Sequence, residues 1–399
     1  MHLPRHLAAQ LALQRIGGRC GQPMAVPAHL GIGKMEVHGG TLAWPGSRRM
    51  RRTGLGYTRR LLIARGAMSM FQRWIAAVVL LVGVVSVVPV RADEHAERAE
   101  VMTMVGALME ARDFETLEAL AEQYRSTEAR TGSGVFMLTQ YYDGVSNYFN
   151  TRDRDAVIWN DRAALAEAWW NAYPDSPTPR LVTAQLLANT AWSYRGGGYV
   201  RTVPPDRWEA FRRQNAEAFA FISKQKSVAA RDPYWYELTL RLGQRDSMDD
   251  ATYMAIFDEA VARYPRFYPL YFGAVNNFSP KWGGSAEAIE SFARHALKKV
   301  RRKDRAALYT RIYWVASQNQ YGSDLFTDSY VDWPLMRRGI DDVLARYPTD
   351  WNLQNFAFFA CRALDKPKTR ELMGRITAPP DGKAWESVEA YEKCREWAG

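Results

Sequence analysis

The chain has 399 residues, and its 53 Lys and Arg against 43 Asp and Glu give a formal charge of +10. Taken whole, that balance suggests nucleic acid or an anionic membrane as partner. Residues 1–92, however, carry 13 of the basic residues and a single acid, Glu36, which leaves 40 bases and 42 acids over 93–399 and a net charge of −2. The electrostatic requirement for nucleic-acid binding is therefore missing from most of the chain.

Residues 1–67 are rich in Arg, Gly and Pro and show no sustained periodicity. They read as a non-native upstream extension, with the true start at Met68 or Met70, or as a disordered basic leader. The fragment Gly31-Ile-Gly-Lys34 lacks the spacing of a phosphate loop. Residues 68–92 then read as a signal peptide. Arg73 ends a short basic region, 17 uncharged and mostly apolar residues follow, and Val90 and Ala92 stand at the −3 and −1 positions. Cleavage is expected between Ala92 and Asp93, which places the protein in the periplasm or outside a bacterial cell. Contact with a membrane is then only transient. The alternative is retention as an anchor, for which 17 residues are short.

The remaining 307 residues contain 46 aromatics, about 15%, enough for a large core. Helical periodicity dominates. Val101, Met104, Val105, Leu108 and Met109 share one helix face, and Asp113 is placed to cap the next helix, whose face is Phe114, Leu117, Leu120, Ala121 and Tyr124. A short motif then recurs as Asn171-Ala-Tyr-Pro174, Ala230-Arg-Asp-Pro233, Ala262-Arg-Tyr-Pro265 and Ala345-Arg-Tyr-Pro348. In each copy Pro stops one helix and can seat in the first turn of the next. The spacing of 32 residues between Pro233 and Pro265 is close to the 34-residue tetratricopeptide unit, and Leu240, Phe257 and Ala260 occupy its Leu, Phe and Ala positions. Ala288 and Phe292 repeat its A-x3-F spacing. The expected fold is all-α, a degenerate tetratricopeptide-like superhelix of helical hairpins over 93–399.

Four segments, Trp192-Ser-Tyr-Arg-Gly-Gly-Gly-Tyr199, Ser279-Pro-Lys-Trp-Gly-Gly-Ser285, Trp333 to Pro348, and Asn355-Phe-Ala-Phe-Phe-Ala-Cys361, resemble an uncharacterised bacterial family of tetratricopeptide-like fold. The resemblance spans roughly 190–365. It implies the helical-repeat fold and an envelope location, and it implies no activity.

Catalytic signatures are sparse. Gly283-Gly-Ser-Ala-Glu287 imitates a nucleophile elbow, but His295 lies ten residues along the same helix, about 15 Å from Ser285. Ser285 reads instead as an N-cap with Glu287 in the first turn. His95 and His295 offer no zinc spacing. Asp324, Asp328 and Asp332 recur at i+4 without the EF-hand pattern. No cofactor and no metal are expected.

The functional expectation is a non-enzymatic binding protein that uses a helical-repeat groove for a protein or peptide partner. The first alternative is an enzyme acting on an envelope polymer through paired carboxylates, a hydrolase or lyase. The second is small anionic-ligand binding at the Gly-rich loops, where Tyr194, Arg195, Gly196, Gly197, Gly198 and Tyr199 of one loop would work with Lys281 and Trp282 of the other. The bland reading of these glycines is helix termination, with Trp282 packed into the next repeat. With Cys20 upstream, Cys361 and Cys394 are left to form a disulfide in an oxidising compartment. That bridge would tie a last helix around Trp385–Trp397 to the array.

Overall fold

The structure, a computed structural model, describes residues 93–151, 155–198 and 200–399. The expected signal segment, its cleavage residue Ala92 and Tyr199 lie outside the described residues. Asp93 is the first residue described, and its carboxylate accepts the His95 N–H to cap α1 (Glu94–Glu110). Asp113 likewise caps α2 (Phe114–Thr127) by accepting the Thr116 N–H, as its spacing predicts. The buried stripe of α1 is Val101, Val105 and Met109 at strict i+4 spacing; Leu108 only packs against the core from the side.

Among the described residues the fold is all-helical. The main helices that follow are α3 (Met137–Phe149), α4 (Ala156–Ala172), α5 (Thr178–Arg195), α6 (Pro205–Lys224), α7 (Tyr234–Arg245) and α8 (Asp250–Arg263). The rest are α9 (Pro269–Asn277), α10 (Ala286–Lys299), α11 (Arg305–Ala316), α12 (Trp333–Leu344), α13 (Asp350–Arg362), α14 (Lys366–Met373) and α15 (Val388–Ala398). The recurrent Pro motif sits where the sequence places it. Helices α4, α8 and α12 stop shortly before Pro174, Pro265 and Pro348, and Pro233 precedes the first residue of α7. Each of α1, α3, α5, α7 and α9 touches its sequence neighbour and also the next odd-numbered helix, so successive odd helices lie side by side. Where α12 meets α11, Gly339 allows the approach; a Cβ there would strike the Ala306 carbonyl oxygen.

One buried network shows how the layers are held. The Asp232 carboxylate is inaccessible to solvent and accepts from Arg125 Nε (2.9 Å) and Nη2 (2.8 Å), from Tyr142 Oη (2.7 Å) and from the Tyr234 N–H (2.8 Å). Arg125 also donates to Thr178. This one acid therefore joins α2, α3, α5 and α7, with its lone pairs satisfied as burial of a charge requires. It is the residue at which the second motif copy, Ala230-Arg-Asp-Pro233, departs from Ala-Arg-Tyr-Pro.

The chain between α2 and α3 is a tight loop, pinned by Thr131 N–H to Val135 O (2.8 Å) and Met137 N–H to Ala129 O (2.9 Å). Buried Glu94 of α1 holds it by accepting the Thr131 hydroxyl and the Ser133 N–H. From there it reaches far along the sequence. Phe136 packs edge-on to Phe267, and the Ser133 carbonyl accepts from Arg311 of α11 and Asn352 of α13. Gly134 makes this possible: its φ is +92°, and a Cβ would lie 2.7 Å from Arg311 Nη2 and 2.9 Å from the Tyr347 ring.

At the other end, Cys361 and Cys394 are bonded, with Cα atoms 5.9 Å apart. The expected single helix over Trp385–Trp397 is instead a helical turn, Gly382–Trp385, and then α15. Glu386 at φ +63° breaks the path, and Ser387 caps the new start. No helix among the described residues is long and apolar enough to cross a membrane.

Candidate ligand cavity

Helix α7 is the least expected element. Tyr234, Trp235, Tyr236, Leu238, Thr239, Leu240, Leu242 and Gly243 are all buried, so the helix is enclosed almost all round, yet Glu237, Arg241 and Arg245 recur in it at intervals of four. Charges on an enclosed helix are costly unless a partner or a ligand meets them. They do not lie on an outer surface. Glu237, Arg241 and Gln244 face a cavity of about 370 Å³, walled also by Arg98 of α1, by Phe136 and Thr139 at the start of α3, and by Tyr253, Tyr268 and Phe272 from α8–α9. Arg311, Trp314, Gln318 and Asn319 complete it from α11 and the turn beyond.

The polar groups of this cavity divide into two sets. Arg241 is engaged: its Nη2 donates to Gln185 Oε1 (2.9 Å) and Tyr234 Oη (2.8 Å), and Tyr234 in turn donates to Gln185 (2.6 Å). Tyr234 also stacks flat on Tyr142, with ring centroids 3.9 Å apart. In contrast, Glu237 Oε2, Thr139 Oγ1 and Gln244 Nε2 are buried with no hydrogen-bond partner in the protein, and all three residues line this one cavity. Buried polar atoms are nearly always paired, and three of the unpaired ones belong to residues that border this cavity from two helices, Thr139 of α3 and Glu237 and Gln244 of α7.

Burial pushes the Glu237 carboxyl up to about 7, with Arg241 opposing and the acids Asp143 and Asp232 reinforcing the rise. Asp143, one turn beyond Gln140 on α3, is raised to about 6, again by burial, against the pull of Arg241 and Arg98. Of the two, Glu237 borders the cavity and Asp143 does not line it.

The sequence-expected loops are elsewhere. Tyr194 and Arg195 are the last residues of α5, and Gly196 ends that helix at φ +70°. Arg195 lies over the rings of Trp192 (4.7 Å) and Trp208 (5.2 Å) and donates to the Gly196 carbonyl (2.8 Å); Arg245 covers Trp192 as well (4.8 Å). Gly197 and Gly198 are exposed, and a Cβ at Gly198 would meet Thr202 Oγ1. In the other loop Lys281 is exposed and its N–H donates to Gln320. Trp282 is 46% exposed, so it does not pack into the next repeat. Gly283 turns the chain at φ +93°. The first loop packs on α5 and α6, the second borders α9 and the turn after α11, and neither lines the cavity.

The other polar features are structural. Ser285 caps α10 by accepting the Ala288 N–H. His295 pairs with Asp258 (2.8 Å), and His95 pairs with Asp381 (3.0 Å) and stands edge-on to Trp351. Asp332 caps α12 and pairs with Arg294 (3.0 Å). Among the described residues no three His, Cys, Asp or Glu converge as metal ligands would. No protein-family model, no curated protein and no solved structure matches the chain.

Proposed function

We propose that this chain is an exported binding protein, built of stacked helical hairpins in the tetratricopeptide manner, whose ligand sits in the cavity between α3, α7, α9 and α11. The observation that carries the reading is that three residues with an unpaired buried polar atom, Thr139, Glu237 and Gln244, border a single cavity. Side-by-side odd helices support the array, and the disulfide supports an oxidising location. A volume of about 370 Å³ suits a small molecule or a short peptide segment. Aromatic walls from Phe136, Tyr253, Tyr268 and Trp314 beside amide and charged groups suit a ligand that is flat or apolar in part and rich in hydrogen-bonding groups.

Gly273 supplies the test. It lines the cavity, and a Cβ there would have no atom within 4 Å, so Gly273→Leu fills the space without a backbone clash. The full chain is mixed with the protein-free small-molecule fraction of an envelope extract and examined by native mass spectrometry. Wild type is expected to carry a discrete added mass that Gly273→Leu lacks while both melt alike. An identical adduct on both proteins, or none on wild type, refutes the reading.

A second reading has one observation of its own: a carboxyl raised by burial, that of Glu237, borders the cavity and suits an acid–base enzyme on an envelope polymer. Polymer breakdown by wild type and its loss in Glu237→Gln would establish that reading.

A further inference from the structure

A second cavity, of about 260 Å³, shares Arg311 and Tyr268 with the first as wall residues. Four separate stretches of chain meet there: 127–130, 266–268, 301–311 and 342–347. They bring together five guanidinium groups, those of Arg130, Arg266, Arg301, Arg311 and Arg346, with three acids.

The ion pairs account for part of this set. Glu128 holds Arg266 (2.9 Å), and Asp304 holds both Arg301 (2.9 Å) and Arg346 (2.9 Å). The third acid, Asp342, makes no ion pair among the described residues. Arg130 and Arg311 are thus left without a carboxylate. Arg130 lies over the rings of Phe136 (3.9 Å) and Tyr268 (5.1 Å) and makes one hydrogen bond, to the Arg266 carbonyl (3.2 Å). Arg311 is only 7% exposed. Its one hydrogen bond is a long one to the Ser133 carbonyl (3.4 Å), and the rings of Tyr268 and Tyr347 flank it. A guanidinium has five N–H donors, and burying it without a counter-charge is strongly unfavourable. Burial lowers its affinity for the proton to about 10, and neighbouring Arg130 and Arg346 add to the effect.

Other residues conform to this arrangement. Gly134 leaves the space that Arg311 Nη2 occupies. Tyr347 and Arg346 belong to the fourth copy of the Ala-Arg-Tyr-Pro motif, so a repeat junction supplies one wall. We infer that this cavity binds an oxyanion, a carboxylate or phosphoryl group, held by Arg311 and Arg130 together as a fork between Tyr268 and Tyr347. Planar guanidiniums match two oxygens of such a group at once, and the aromatic faces keep them aligned. The site does not depend on what the larger cavity binds.

The test titrates the full chain with inorganic pyrophosphate, and separately with succinate, against chloride at equal ionic strength. Melting temperature and calorimetric heat are followed. At least one of the two anions is expected to bind saturably and raise the melting temperature where chloride does not, and the stronger one identifies phosphoryl or carboxylate as the preferred group. Arg311→Met should weaken that binding about ten-fold or more. Arg130→Gln should weaken it too, and serves alone if Arg311→Met does not fold. Arg195→Gln, outside the site, should bind as wild type. Failure of both anions to exceed chloride, or binding indifferent to Arg311→Met and Arg130→Gln, overturns the inference.

Discussion

Replacing Glu237 by Gln should make the protein more stable, and only above a certain pH. The carboxyl titrates near pH 4.5 in an unfolded chain and near 7 in the folded one, because the cavity wall removes it from water. Below about pH 4.5 it is protonated in both states and contributes no difference. Between 4.5 and 7 the folded protein keeps the proton that the unfolded chain has lost. Stability therefore falls as pH rises through this window, and the deficit is complete above about 7. A shift of this size corresponds to about 3 kcal/mol. Gln keeps the shape and cannot ionise, so the difference in unfolding free energy between Glu237→Gln and wild type should grow by about that amount from pH 4.5 to pH 8. Urea unfolding of both proteins across that range measures it, and titrating groups that do not interact with Glu237 cancel in the difference. A gap that stays constant with pH would falsify the placement of Glu237 on a dry wall. A stabilising replacement also fits a group kept for binding rather than for folding.

Three further outcomes are expected. Cys361→Ser, or reduction of the bond, should lower stability by about 3–4 kcal/mol in the chain-entropy account for a separation of 33 residues, read by denaturant unfolding with and without reductant. Asp232→Ala leaves Arg125 with only the exposed Glu122 as ion-pair partner and takes the acceptor from the Tyr142 hydroxyl and the Tyr234 N–H, so it should destabilise by about 3 kcal/mol in the same assay; a loss under 1 kcal/mol would contradict the network described. If the leader is a cleaved signal, N-terminal sequencing of protein recovered from cells should begin at Asp93, and an intact Met1 terminus would count against export.

Much of the helical scaffold could be read from local signals, because caps and stops are local chemistry. Asp113 and Ser285 needed only a hydrogen-bonding side chain before an apolar stripe, and the Pro motifs mark helix ends wherever they fall. The cysteine pair followed from counting. The cavities were not legible in this way. Their walls come from segments far apart in sequence, and no local spacing reveals that Arg98, Glu237 and Gln318 face one space. In Tyr234–Arg245 three charged residues recur at intervals of four, which in sequence reads as the polar stripe of an ordinary amphipathic helix; only the distant segments packed around it turn that stripe toward a cavity. Arg311, a lone charge set in Leu-Tyr-Thr-Arg-Ile-Tyr-Trp, is the clearer local signal of a buried cation. The Gly-rich loops drew attention because glycines are conspicuous, yet Gly196 and Gly283 serve to turn the chain at positive φ.

The loop between α2 and α3 bears on the order of folding. Its Ser133 carbonyl meets Arg311 across 178 residues of chain and Asn352 across 219. Contacts of such span are the slowest to form, since most of the polypeptide must first be arranged. A chain made from its N-terminus would hold this loop ready on Glu94 long before α11 and α13 exist. The larger cavity lacks part of its wall until Asn319 has been made, and the smaller one until Tyr347 has, so both are completed only late in synthesis.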